Sequence, residues 1–488
     1  MRVVAELLVA RVPWSADGGF APAAGLVDRA LALGVGGFIL DGGTPEAVLG
    51  WVREVRRRSA VPLLIGADVS RGAGQVFAGA TGLPPYAAIG RLDDDDAVRR
   101  AARLTAREAR TAGVNWILAP SADLAVHAAN AALGTDTFGA DPVRVGRFVG
   151  AWVGACQAEG VLASVGRFPG LGRAITHPHG SAPEVDASEE ALRHEDLLPF
   201  RAAITAGVAV VAVAHARYPT FDPSGATADT SPAIMRDLLR DELGFDGLVA
   251  TDCLGNPSVR ATIGAGEAAV RAAAVGCDLL IGGADLDLES VVAALDAAMH
   301  DGRLLPDRVE QARRLRRKWA QWATPPMDFL KPASSDVQWA AALADRALVL
   351  VRGADGPVRA PLDVLVVNDG AASASVAPLL AALRTAGASA REVPRPVPGS
   401  RGTVVVALFG GSDPFAPRYG YRPAALAQVR DAVRTAEAAG RPALVAQFGE
   451  PGLATALADG VPVLSAWTGD AAMQHAVGRW LAARRRGG

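Results

Sequence analysis

Cysteine is scarce in this chain. Only three occur in 488 residues, Cys156, Cys253 and Cys277. Their wide spacing excludes a zinc ribbon and a disulfide framework, and a reducing compartment is the simpler expectation. Charge of one sign is also missing. The 49 basic and 51 acidic residues leave a net charge of −2, so no bulk positive field is present to collect nucleic acid. The basic run Arg313 to Lys318 reads as the polar side of a helix, and the tail Arg484, Arg485, Arg486 as a solvated helix end. No apolar run reaches the roughly 20 residues that span a bilayer. The N-terminal stretch MRVVAELLVARVPW carries Glu6, has no basic region followed by a small-residue cleavage site, and reads as a strand instead of a signal peptide. No compact set of three or four metal-ligating residues stands out, so neither metal nor cofactor is expected. The expectation is a cytoplasmic protein, monomer or homodimer, with no membrane and no nucleic-acid partner.

What is present is apolar and periodic. Half of the residues are hydrophobic and 20% are charged, enough for more than one core at this length. Eight short runs precede residue 290, at 3–12, 35–40, 61–68, 114–123, 161–168, 208–216, 247–254 and 277–283. Most are continuously apolar, as strands buried on both faces of a parallel sheet would be. Helical patterns lie between most of them, and several end at a glycine suited to a left-handed cap. Eight such strands predict a (β/α)8 TIM-like barrel over 1–322. The proline-containing stretch 323–340 reads as a linker. Residues 341–488 then repeat strand and helix patterns about five times, which predicts a smaller open parallel-sheet α/β sandwich domain.

A barrel of this kind works at the C-terminal ends of its strands, and there the polar residues converge. Strand three ends in Asp68 and strand four near Asp123. Strand five runs into Arg167 and a Gly- and Pro-rich loop with His177 and His179. Strand six ends in His215, followed by Arg217 and Tyr218. Strand seven ends in Thr251 and Asp252. Asp252 leaves a rigid apolar strand towards the barrel axis. A carboxylate there could attack an anomeric carbon, stabilise positive charge or ligate a metal. The loop histidines could carry a proton near neutral pH.

With these residues in place, the chain resembles glycoside hydrolase family 3, in particular its bacterial β-N-acetylhexosaminidase branch. The resemblance is carried by PLLIGAD at 62–68, NAALGTDTFGADPVRVGRFVGAWVGACQAEGV at 130–161, FPGLG at 168–172, DLLPFRAAITAGV at 196–208 and LLRDELGFDGLVATDCL at 238–254. It implies a retaining double-displacement mechanism on a terminal β-linked sugar, of the β-N-acetylhexosaminidase or β-glucosidase kind. Asp252 matches the nucleophile, His179 the general acid/base histidine, and Asp68 a carboxylate that holds sugar hydroxyls. Asp123, Arg167, His177, His215 and Arg217 are the further expected sugar contacts.

Much of the sugar-binding shell departs from the family pattern. The usual Lys-His before Phe-Pro-Gly is Gly166 and Arg167. The aspartate paired with the acid/base histidine is His177, and the histidine after Phe-Pro-Gly is Leu171. Asp136 and Asn256 stand where an arginine and a methionine are usual. Three functions follow: a glycosidase with altered sugar specificity, a weak or inactive relative that binds sugar, and a glycoside phosphorylase. In some branches the second domain supplies the acid/base carboxylate, for which Asp413 and Glu450 are the candidates.

Overall fold

The computed structural model describes residues 3–127, 130, 133–174, 182–323, 333–353, 358–371, 374–413, 418–457 and 460–485. They divide into two compact units. One comprises Met1–Thr81, Asp94–Asn130 and Thr137–Ala333, the other Gly82–Asp93, Ala131–Asp136 and Ser334–Gly488. The second unit thus takes two short segments from early in the chain. Of the expected linker, residues 324–332 lie outside the described residues, and Ser334–Ala347 is a helix.

The first unit is a nearly closed, TIM-like barrel. Its strands are β1 (Leu8–Val12), β2 (Gly37–Leu40), β3 (Leu64–Ala67), β4 (Trp116–Ile117), β5 (Leu162–Phe168), β6 (Val210–Val213), β7 (Leu248–Ala250) and β8 (Leu280–Ile281). They pair in the order β7-β6-β5-β4-β3-β2-β1-β8. A parallel bridge between Ala250 and Leu279 joins the two ends. All eight strands send apolar side chains into one cluster, among them Val9, Ile39, Leu64, Trp116, Leu162, Val210, Leu248 and Ile281. Each large side chain so buried contributes about 1.5–3 kcal/mol. The helices between strands start and stop where local chemistry directs. Thr44 accepts from the Ala47 amide at 3.3 Å to open Pro45–Arg58, whose buried face is Val48, Val52 and Val55. Asp94 does the same for Ala97 at 3.0 Å to open Asp95–Thr111.

One expectation fails at the start of the chain. Residues Val3–Leu7 form a 3-10 turn, not the first half of a strand. The reason is tertiary. Glu6 is fully buried and accepts from Arg313, Arg316 and Arg317 of the helix Pro306–Trp322. An extended backbone would alternate Glu6 with its neighbours across the sheet, whereas Val4, Ala5, Glu6 and Leu7 are all buried.

In the second unit, β9 (Val349–Arg352), β10 (Leu362–Asp369), β11 (Ala390–Glu392), β12 (Val404–Gly410), β15 (Ala443–Phe448) and β16 (Val463–Ser465) form one sheet in the order β11-β10-β12-β15-β16-β9. A hairpin of β13 (Ser412–Asp413) and β14 (Arg418–Tyr419) stands apart. The sheet is mixed instead of wholly parallel, because the edge strand β9 runs antiparallel to β16. The short polar edge strand β11 has no apolar run to announce it. Among the described residues no helix is long and apolar enough to cross a membrane.

Candidate active site

The site follows from strand parity. Side chains on a strand alternate between faces. Val9, Ile39, Leu64, Leu248 and Ala250 point into the barrel core. Two residues beyond Val9, Ile39 and Ala250 come Arg11, Asp41 and Asp252; four beyond Leu64 comes Asp68. All four belong to the inward face and lie in the upper layer, at the C-terminal ends of β1, β2, β7 and β3. Arg11 donates to Asp41 across the β1–β2 pair.

Asp68 retains open surface while protein crowds around it. That combination describes a group on the floor of a concavity. The crowding raises its pKa, opposed by the charges of Arg11, Arg71 and Arg167 and by the Ser70 amide. Asp252 is half-buried, and one of its oxygens accepts from the Cys253 amide at 2.6 Å. Behind it Thr251 is fully buried, and its hydroxyl accepts from the Ile281 amide at 3.0 Å. This bond ties the end of β7 to β8 and limits where Asp252 can swing.

His215 leaves the end of β6, next to β7 in the barrel, and is 5% exposed. Its Nδ1 lies 3.0 Å from a carboxylate oxygen of Asp229. Burial works against protonation, but the hydrogen bond and charge of Asp229, together with the charge of Asp252, outweigh it and raise the pKa of the ring; Arg217 opposes them. Arg217 itself donates through Nε to the Gly225 carbonyl at 3.2 Å.

Asp123 was expected to touch sugar, and its geometry gives it another task. Its side chain has no exposed surface. One oxygen accepts from the Leu171 amide at 2.7 Å, and the other from the Arg167 amide at 3.1 Å, with the Arg167 Nε at 3.4 Å. It therefore anchors the Phe-Pro-Gly loop and aims Arg167, whose own side chain is 28% exposed. More braces hold the same loop. Tyr218 donates to the Gly170 carbonyl at 2.9 Å, Asn130 to the Leu171 carbonyl at 2.9 Å, and Arg173 to Asp196 at 2.6 Å. Gly172 packs so close that a Cβ would come 2.0 Å from the Leu124 carbonyl oxygen, so no larger residue fits. His177 and His179, further along this loop, lie outside the described residues.

Asp252, Asp68, Arg167 and His215 thus belong to one barrel mouth. Sequence reasoning missed Arg11 and Asp41, which the alternation Val9, Arg11 and Ile39, Asp41 could have revealed. It also missed Asp229, for which no sequence signal exists, since it sits in a loop turn 14 residues after its partner. Among the described residues no group of three His, Cys, Asp or Glu could hold a metal ion. In the second unit, Glu450 follows β15 and accepts from the Tyr419 hydroxyl at 3.2 Å, and burial raises its pKa. The side chain of Asp413 lies outside the described residues.

Residues 32–317 match the glycosyl hydrolase family 3 N-terminal domain. The chain belongs to glycosyl hydrolase family 3. Among its relatives, a β-N-acetylglucosaminidase/β-glucosidase of Cellulomonas fimi is 34% identical over 289 residues, which is 57% of this chain and 51% of that protein. The chain therefore spans about half of that relative's length. A β-hexosaminidase of Stenotrophomonas maltophilia is 35% identical over 237 residues, 46% of this chain and 69% of the relative. The fold is shared along nearly the whole chain with a family 3 β-N-acetylglucosaminidase from Paenibacillus, at a TM-score of 0.82 and 24% identity, covering 99% of this chain and 97% of the other. It is shared equally with the β-glucoside phosphorylase BglX, at a TM-score of 0.84 and 19% identity, over 99% and 92%.

Proposed function

We propose that the protein is a retaining glycoside hydrolase that removes a terminal β-linked sugar. The observation that carries this reading is a carboxylate, Asp252, at the inward C-terminal end of β7, in the same mouth as Asp68. Asp252 is the nucleophile. Its oxygen attacks the anomeric carbon, and the leaving oxygen departs with a proton from His179, the general acid. Water, deprotonated by the same imidazole, then releases the sugar from Asp252. His177, in the place of a partner carboxylate, fixes a tautomer without adding negative charge. Asp68 and Arg167 hold sugar hydroxyls, with Asp123 as the anchor of Arg167. The names of the two curated relatives support an N-acetylglucosaminide or glucoside as substrate.

A second reading has one observation in its favour. Arg11, Arg71 and Arg167 all act on Asp68 through their charge, and these guanidinium groups, with Arg11 also paired to Asp41 and Arg167 to Asp123, are the ones that would hold inorganic phosphate as acceptor in place of water. One experiment separates the readings. Aryl N-acetylglucosaminides, glucosides, xylosides and arabinosides are offered with and without phosphate, and the products are resolved. Free sugar without phosphate supports the hydrolase, and sugar 1-phosphate supports the phosphorylase. Ligand binding with no turnover in either medium would retire both in favour of a sugar-binding role.

A further inference from the structure

We propose that Arg11 and Asp41 form a recognition pair for the terminal sugar and hold the hydroxyl next to the one that Asp68 holds. The proposal rests on the site being one that cleaves a terminal sugar. Three observations carry it. The first is direct contact: the Arg11 guanidinium donates to the Asp41 carboxylate across the β1–β2 pair. The second is placement. Arg11 and Asp41 stand two residues beyond the core residues Val9 and Ile39, on the inward face at the C-terminal ends of β1 and β2. Gly66 fixes the inward course of β3, since a Cβ there would meet Trp116 at 2.9 Å and Ile39 at 3.2 Å. The last register pair between β2 and β3 is Leu40 with Ala67. Asp41 and Asp68 come next, side by side on strands about 4.8 Å apart. The third observation is unspent hydrogen-bonding capacity. The Arg11 and Asp41 side chains are 31% and 30% exposed. Among the described residues, the second oxygen of Asp41 and the Nε and Nη2 of Arg11 carry no hydrogen bond.

No need of the fold accounts for this pair. An ion pair that holds the second unit together is closed off: Arg441 is 1% exposed and divides its donors among Asp363 and the carbonyls of Gly402 and Val397. The Arg11–Asp41 pair is open, and an open pair contributes at most about 1 kcal/mol. Setting Asp41 beside Asp68 also costs like-charge repulsion, which Arg11 offsets. A sugar gives the arrangement its use. A ring hydroxyl both donates and accepts, whereas a carboxylate only accepts and a guanidinium only donates. The tied pair offers both roles at one point: Asp41 accepts from the hydroxyl, and Arg11 donates to the same oxygen. Asp68 takes a hydroxyl one strand away, so the two carboxylates meet hydroxyls on adjacent ring carbons. On these three strand ends two carboxylates face one guanidinium, which suits a neutral sugar over an acidic one.

The test crosses variants with substrates in the full-length protein. An aryl glycoside that the protein turns over is compared with its monodeoxy analogues, each lacking one ring hydroxyl. The unmodified protein should lose roughly 10–100-fold in kcat/KM when either of two neighbouring hydroxyls is removed. Asp41→Ala and Arg11→Ala should each lower kcat/KM on the parent glycoside by roughly 10-fold or more. Both should remove most of the deoxy penalty at the same one of these positions, and Asp68→Ala should remove it at the other. Because the pair is open, both variants should melt close to the unmodified protein. A folded Asp41→Ala protein that keeps every deoxy penalty overturns the proposal, as does faster turnover of an aryl glucuronide than of the glucoside. If the unmodified protein turns over no glycoside, the sugar-cleaving reading fails, and calorimetric titration with methyl β-glucoside, methyl β-N-acetylglucosaminide and their deoxy analogues still decides. Binding that Asp41→Ala weakens only for sugars retaining one particular hydroxyl supports the pair, and equal binding by both proteins, or none by either, overturns it.

Discussion

Replacing Glu6 by glutamine should cost the barrel about 3 kcal/mol, although Glu6 lies at the opposite end of the strands from the site. Glu6 is fully buried, and burial alone would raise its pKa. Hydrogen bonds from Arg317, Arg313 and Arg316 reverse this and hold it at about 2, against an ordinary value of 4.5. At 1.36 kcal/mol per pH unit, that difference corresponds to about 3 kcal/mol favouring the folded state. A second route agrees. Arg316 has no exposed side-chain surface and donates to Glu6 at 2.9 Å, with its other nitrogen on the carbonyls of Gly36 and Pro62. Removing the partner of a buried charge costs about 3–5 kcal/mol. Arg317 is 40% exposed, so its share is screened and the lower figure is preferred. The melting temperature of the barrel should fall by roughly 6–10 °C. The pH dependence has a definite sign. The folded pKa is depressed, so the contribution is complete above the unfolded value and is lost as pH falls from about 5 to about 2. Urea unfolding of both proteins at pH 7 and at steps down to pH 3 measures this. The gap between them should be widest at pH 7 and narrow on acidification. A gap below about 1 kcal/mol at pH 7, or one that does not change with pH, would refute the account.

Other outcomes follow from the site. Asp252→Ala should abolish turnover of activated and unactivated glycosides alike, read by product release. His179→Ala should spare glycosylation by an activated aryl substrate and cost roughly 10²–10⁴-fold on a sugar leaving group; equal small losses on both would place the acid elsewhere. Asp123→Asn should destabilise the barrel by about 1–3 kcal/mol through the Leu171 and Arg167 amides, with a raised KM, and an unchanged melting temperature and KM would show that the anchor is dispensable. Native thiol titration should find Cys253 labelled slowly, because burial pushes its thiol up, and Cys156 and Cys277 silent, since both of the latter are fully buried; sugar that fails to slow Cys253 labelling further would place the ligand away from Asp252. Truncation after Ala333 should leave the helix Tyr86–Arg91 without its unit, because Ala88 belongs to the same core cluster as Ala344 and Ala347 of the helix Ser334–Ala347; a fully soluble truncated protein with native far-UV signal and turnover would argue otherwise.

The barrel was legible in the residues because parallel strands buried on both faces are built from continuously apolar segments, and most of the eight runs are of that kind. The nucleophile candidate was legible for a related reason: a single carboxylate ending such a run, as Asp252 ends GLVAT, has few places to point. Five of the six strands in the main sheet of the second unit were read from apolar runs, while β11, with Arg391 and Glu392, was not, because its exposed edge carries no apolar code. Partnership was not legible. Asp229 meets His215, Asp123 meets the amides of Arg167 and Leu171, and Glu6 meets arginines more than 300 residues away. Asp229 and Glu6 read alone as ordinary loop or strand residues, and Asp123 reads as a strand-end sugar contact with no sign of the amides it meets. The role of each depends on which donors the closed barrel brings within about 3 Å, and that is a property of chain closure in three dimensions, to which sequence separation offers no guide.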